Sequence, residues 1–174
     1  MKNKEIIHYS GRFLGLKQRG RWEYTFRTNA SGVVALVPVT DDGELVLVEQ
    51  YRIPVQSRVL ELPAGLAGDT GDPDEDFKLA ANRELVEETG FRASQLDEIL
   101  VGPSTSGLAD EILHIYYASG LEKVGPGGGD VSEDITVHLL PLAEAESWLA
   151  TRTAAGILID PKVYAGLYWA GLHS

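Results

Sequence analysis

An α/β or α+β sandwich built on a mixed β-sheet is the architecture that this 174-residue sequence predicts. Candidate strands outnumber candidate helices, one well-signalled helix falls between strands, and two more close the chain. In chain order, the first 30 residues carry β-favouring clusters: Ile6, Ile7 and Tyr9, then Phe13, Leu14 and Leu16, then Trp22, Tyr24 and Phe26. Trp22 to Arg27 alternates bulky apolar with polar residues, which predicts that one face of this strand is covered. Val33 to Val39 is a continuous apolar run of the kind found in buried strands. Asp41-Asp42-Gly43 is a hairpin signal, and Leu45 to Tyr51 returns as the paired strand. Arg58 to Leu62 follows, stopped by Pro63-Ala64-Gly65.

The first helix is expected to start at Asp72, with Pro73 at its first position and Glu75 at capping-box spacing. Phe77, Ala81 and Leu85 form its apolar stripe, and Gly90 is placed to stop it. Ile112 to Ala118 and Ile135 to Leu140 are further strands. The Gly-Pro-Gly-Gly-Gly run between Val124 and Val131 reads as a mobile loop. Leu142 to Thr151, and a Pro161-led segment capped by Asp160 and reaching Leu172, are the closing helices.

Bulk composition narrows the function. The chain fits one domain with a proper core, and 44% apolar with 24% charged residues is ordinary for a soluble protein. No cysteine is present, which excludes disulfides, thiolate metal sites and a cysteine nucleophile. A formal charge of −11 argues against binding nucleic acid. It does not argue against a phosphorylated small molecule if a divalent metal reverses the local field. Met1 to Arg12 lacks the apolar centre of a signal peptide, and no apolar run could span a bilayer. A cytoplasmic protein without a membrane partner is the expectation.

The chemistry centres on Arg83-Glu84-Leu85-Val86-Glu87-Glu88-Thr89-Gly90. On a helix, Glu84, Glu87 and Glu88 share one face, where like charges oppose each other by a few tenths of a kcal/mol per pair. A hard cation held between the oxygens relieves that repulsion. The plain alternative is a solvated acidic face. Against it, the glutamates cluster without lysines four residues away, Arg83 interrupts them and Pro-Ala-Gly lies upstream.

Glu75, seven residues, then Arg83 to Phe91 resembles the Nudix box, and Glu61-Leu62-Pro63-Ala64-Gly65 resembles the lead-in of ADP-ribose and nucleotide-sugar pyrophosphatases. The likeness runs from about Trp22 to His138. It implies a Nudix-type α/β/α sandwich with an N-terminal strand extension. It further implies that Glu84, Glu87 and Glu88, with the carbonyl of Ala64, hold Mg²⁺, for which Mn²⁺ can substitute. Arg83 then orients the glutamates, and Glu75 supports the loop before the helix. Asp69 stands where the pattern has glycine, Leu66 to Gly71 contains an insertion, and Gly68 is an alternative anchor.

The same resemblance assigns Arg52 to substrate phosphates or the terminal ribose, and Glu61 and Gly65 to the substrate. A guanidinium fork suits phosphate oxygens, while the plain reading pairs Arg52 with Glu61 at a strand end. In the enzymes this chain resembles, a tryptophan in the N-terminal strands stacks on the base, which makes Trp22 a candidate, with ordinary packing in a β-layer as its plain reading; Arg27 in the same strand is a candidate for substrate binding. Ser104 to Glu111 resembles a loop that carries a glutamate base, with Thr105-Ser106-Gly107 where the family shows Ser-Pro-Gly. Glu111 is the first choice of general base, and Glu87 or Glu88 the alternative. Glu133 and Asp134 could close over the site or belong to a plain connection. His114 and His138, lacking ligand spacing, are expected to be structural.

Together these readings predict Mg²⁺-dependent hydrolysis of the diphosphate of ADP-ribose or a related nucleoside diphosphate sugar such as GDP-mannose. Alternatives are a dinucleoside polyphosphate or nucleoside triphosphate pyrophosphohydrolase, and a catalytically silent nucleotide-sugar binding module. A homodimer through residues 1–30 is expected, with residues 31–174 as the catalytic core.

Overall fold

The computed structural model describes residues 4–129 and 134–173. Among these described residues, eleven strands and three α-helices follow in the order β1 (Glu5–Ser10), β2 (Leu14–Arg19), β3 (Trp22–Arg27), β4 (Gly32–Pro38), β5 (Glu44–Arg52), β6 (Ser57–Glu61), β7 (Ala64–Ala67), α1 (Phe77–Thr89), β8 (Phe91–Pro103), β9 (Ile112–Lys123), β10 (Thr136–Pro141), α2 (Ala145–Ala154), β11 (Leu158–Ile159) and α3 (Pro161–His173). Single 3₁₀ turns occupy Ile53–Val55 and Leu142–Glu144. Among the described residues, no helix is long and apolar enough to cross a membrane.

Two four-stranded sheets form the core, ordered β7-β4-β9-β8 and β10-β5-β6-β11. The first is mixed, since β4 runs parallel to β9 and antiparallel to β7. The apolar run of β4 is explained by burial on both faces. Val34 and Leu36 pack with Ala80, Ala81 and Leu85 of α1. Ala35 and Val37 face the opposite core, with Leu45, Leu47, Leu60, and Val163 and Ala170 of α3. Helices therefore cover both sides of the sheets, which makes the α/β/α sandwich.

Strands β1, β2 and β3 form a separate antiparallel sheet. The expected cover over β3 is only partial within this chain: Tyr24 and Phe26 are half-buried, but Trp22 is 59% exposed. The sheet meets the core along the loop before β9, where Thr25 N–H donates to Leu108 O at 2.8 Å and Asp110 N–H to Thr25 O at 3.1 Å.

Two expectations are corrected. Helix α1 starts four residues later than the capping-box pattern suggests, with Asp76 as N-cap accepting from the N–H groups of Lys78 and Leu79. Asp72 instead stabilises a turn, accepting from the Asp74 and Glu75 N–H groups. Glu75 cannot close a capping box because Gly68 N–H and Arg83 already occupy its carboxylate. The glycine-rich segment, read as mobile, lies against the end of α1 through Gly129, with Gly128 and Gly129 bonded to helix carbonyls.

Candidate active site

A cavity of about 380 Å³ opens where β3, β5, β6, β7, α1, the loop before β9 and the start of α3 meet. The helix contributes Glu84 and Glu88, and β7 contributes Ala64 and Gly65. Local geometry sets both carboxylates. Glu88 is 4% exposed and accepts from Ala64 N–H at 3.0 Å. Glu84 lies directly over Gly65, where an added Cβ would sit 1.9 Å from the Glu84 carboxyl carbon. Glycine at this position is therefore a requirement of the site itself.

Behind the wall, Arg83 is a hub. Its guanidinium donates to Glu75 at 3.2 Å, Glu84 at 2.8 Å, Glu87 at 3.3 Å, Asp69 at 3.4 Å and the Leu66 carbonyl at 2.9 Å. One cation thus offsets several carboxylates crowded onto two turns, a network in which several charges act together rather than as isolated pairs. Burial pushes the Glu84 carboxyl up to about 7, and the adjacent Arg83 charge only partly opposes this. Glu75, bonded by Arg83, is held below the usual carboxylate range despite some burial. Gly68, with φ +83°, donates its N–H to Glu75 at 2.9 Å, so it is the anchor of the loop before the helix.

Cations line the same cavity. Arg27 donates to Glu111 at 2.7 Å and Arg52 to Glu61 at 2.8 Å, while Lys162 pairs with Asp160 at 2.6 Å. Arg27, Arg52, Glu61, Glu111 and Lys162 all line the cavity. Paired guanidinium and ammonium groups in one cavity with helix carboxylates suit a phosphorylated ligand bridged by a cation.

Of the residues singled out from sequence, Ala64, Gly65, Glu84, Glu88, Arg27, Arg52, Glu61 and Glu111 line this cavity. Glu87 is on the same helix but its side chain is 53% exposed and turned to Arg83. Arg83 and Glu75 lie behind the wall. Trp22 is at the far end of β3, outside the cavity. Asp134 pairs with Arg58 at 3.1 Å, away from the cavity lining, and Glu133 lies outside the described residues. His114 and His138 bond Glu98 and Glu49, as expected of structural histidines. Sequence reasoning missed Gln50, Ser104 and Lys162 as wall residues, and treated Asp69 only as a departure from a pattern. Lys162 had a local signal: it follows the Asp160-Pro161 helix start, where Asp160 caps its N–H at 2.7 Å and holds its ammonium.

The donor set fits a hard divalent cation. Among the described residues, the cavity lining carries the carboxylates of Glu61, Asp69, Glu84, Glu88 and Glu111 and neither a thiolate nor a histidine. Among the same residues, no three acids or histidines are grouped so as to hold a metal ion by themselves. A cation bound here would need water and phosphate oxygens to complete its shell.

Comparison with known proteins agrees with this geometry. The NUDIX domain family model matches residues 29–159. A methanol dehydrogenase activator from Bacillus methanolicus is 38% identical over 116 residues, covering 67% of this chain and 60% of that protein. An ADP-ribose pyrophosphatase from Mycobacterium tuberculosis is 36% identical over 137 residues, covering 78% of this chain and 63% of that protein. The chain thus spans a little under two thirds of the length of these two relatives. A crystal structure of an ADP compounds hydrolase superposes with a TM-score of 0.72, over 97% of this chain and 90% of that one, at 24% identity. That superposition bears out the fold, and with the family model matched across both cores and the carboxylate helix, the chain belongs to the Nudix family.

Proposed function

We propose that this chain hydrolyses the diphosphate bond of ADP-ribose or a related nucleoside diphosphate sugar such as GDP-mannose, with Mg²⁺ as cofactor and Mn²⁺ as a substitute. The observation that carries this reading is a single cavity lined by both the carboxylates Glu84 and Glu88 and the cations Arg27, Arg52 and Lys162. Glu84, Glu88 and the Ala64 carbonyl, with Glu87 after rotation away from Arg83, are the residues that would hold the cation. When bound, Mg²⁺ supplies charge to neutralise the diphosphate and Lewis acidity toward phosphorus and water.

The chain's own residues do the rest. Arg52 and Lys162 receive phosphate or sugar oxygens, and Glu61 fixes the Arg52 fork. Arg27 holds one oxygen of Glu111 at 2.7 Å, which leaves the other to take a proton from the attacking water. The water oxygen forms a new bond to one phosphorus as the bridging P–O bond breaks. The products are a nucleoside monophosphate and a sugar phosphate. Arg83 keeps the helix carboxylates apart, and Glu75 braces Arg83 and the loop at Gly68.

A homodimer belongs to the same proposal. Ile6, Ile7, Tyr9, Phe13, Leu14 and Trp22, all in or next to the N-terminal sheet, are 48% to 65% exposed, which offers apolar side chains to a second copy.

The test is a Mg²⁺ assay over ADP-ribose, GDP-mannose, ADP-glucose, UDP-glucose and dinucleoside polyphosphates, run also with Glu88→Gln. The expected result is turnover of a nucleoside diphosphate sugar, with kcat lowered by about 10²–10³-fold in the variant. Preferred turnover of a dinucleoside polyphosphate would reassign the substrate. Tight binding of ADP-ribose with no product would make the chain a silent binding module.

A further inference from the structure

The glycine-rich segment after β9 does something that its composition does not announce. A helix ends with four carbonyls that have no partner inside the helix. At the end of α1 these carbonyls belong to the turn that carries Glu87 and Glu88. Gly129 N–H donates to Glu87 O at 3.0 Å, and Gly128 N–H to Glu88 O at 2.8 Å. The Lys123 ammonium donates to Thr89 O at 2.7 Å, and Val124 N–H to Gly90 O at 2.8 Å. The last turn is thus closed carbonyl by carbonyl, from one neighbouring segment.

The glycines are required for this contact. Gly127, Gly128 and Gly129 have φ of +71°, +105° and +77°, a run that L side chains rarely adopt. A Cβ on Gly127 would lie 2.4 Å from the Thr89 carbonyl carbon, and one on Gly90 would lie 2.2 Å from Gly125 O. A plain flexible connection needs neither consecutive left-handed residues nor consecutive amides aimed at consecutive helix carbonyls.

We propose that Gly127–Gly129 is a positioning clasp for the metal-holding end of α1: by fixing the backbone of Glu87 and Glu88, it sets their spacing to Glu84 and with it the affinity for a divalent cation. The proposal rests on the cation reading of the site given above. It assigns these glycines no contact with substrate or with the reacting atoms. Their effect passes through the helix backbone, because a frayed last turn would let Glu88 swing away from Ala64 and Glu87 away from Arg83.

The experiment measures Mn²⁺ binding to the full chain by electron paramagnetic resonance, alongside thermal melting. The variants are Gly127→Ala, Gly128→Ala and Gly43→Ala. Gly43 is the matched control: it has φ +75°, an added Cβ meets nothing within 4 Å, and it lies in the hairpin between β4 and β5. Gly128→Ala is the mild variant, since its Cβ would approach nothing closer than Ile135 O at 3.9 Å. The expected result is a Mn²⁺ dissociation constant raised about tenfold or more in Gly127→Ala, roughly threefold in Gly128→Ala, and unchanged in Gly43→Ala. If Gly127→Ala does not fold, the comparison of Gly128→Ala with Gly43→Ala decides. Wild-type affinity in the clasp variants would overturn the clasp and leave the metal site standing. A wild-type protein that binds no Mn²⁺ would overturn the cation reading itself.

Discussion

Gly65 illustrates how far a single atom matters here. With no Cβ, it lets the Glu84 carboxylate lie against β7, within reach of the cavity. In Gly65→Ala the new methyl group meets the end of a flexible side chain, so the fold should hold while the carboxylate is displaced. Melting within a few degrees of wild type, with kcat lowered on the order of 10²-fold, is the expected outcome. Unchanged kcat would mean that Glu84 can serve from another position. The same carboxylate makes a pH prediction. Burial raises its pKa from 4.5 to about 7, so between those values the folded chain holds a proton that the unfolded chain has lost. Stability of the metal-free protein should therefore fall as pH climbs through that window, by on the order of 1–3 kcal/mol, and level off above it. Glu84→Gln lacks the titrating group and should lose this slope. Melts of both proteins in a chelator check it, and parallel curves would show that Glu84 titrates as an ordinary carboxylate.

At the level of elements, α1 shows why local pattern is an uneven guide. Its apolar stripe of Phe77, Ala81 and Leu85 was legible from spacing, and Ala81 and Leu85 are fully buried. Its start was not, because Glu75 bonds Gly68 and Arg83 rather than folding back on a cap. Asp76→Ala should cost about 1 kcal/mol and lower Tm by about 2–4 °C, while Asp72→Ala should do much less. Equal losses would restore the earlier start. Strand β8 went unread for a related reason. Arg92, Ser94, Gln95, Asp97 and Glu98 give it little apolar periodicity, yet it pairs with β9 along its whole length, with one irregularity between Glu98 and Leu100. Its extended form comes from that partner, which no local window contains. The glycine run was visible as glycine but not as a clasp, since its contacts lie more than 30 residues back along the chain. The site divides in the same way. The box glutamates, Arg83 and Ala64 follow one dense motif, whereas Lys162, Gln50 and Ser104 reach the cavity only through tertiary packing.

For the whole molecule, the N-terminal sheet is where the proposed dimer would meet the chemistry. Its outer residues Ile6, Ile7 and Tyr9 are exposed, and its opposite end is tied to the loop that carries Glu111, through Thr25 and the Arg27–Glu111 pair. A twofold dimer would bury the exposed residues against their own copies, since such interfaces are self-complementary. It would also stiffen β3 and, with it, the Glu111 loop. Replacing Ile7 and Tyr9 together by glutamate places like charges across that interface, while both positions are solvent-exposed in the single chain. Sedimentation should then show a dimer for wild type and a monomer for the double variant. If the sheet steadies Glu111, kcat should fall with assembly while Mn²⁺ affinity stays at the wild-type value, because the proposed cation ligands lie on α1 and β7. A wild-type monomer would remove the dimer, and a monomeric variant with full kcat would separate assembly from catalysis. A fall in both kcat and Mn²⁺ affinity would instead place the N-terminal sheet's effect on the carboxylate helix rather than on the Glu111 loop.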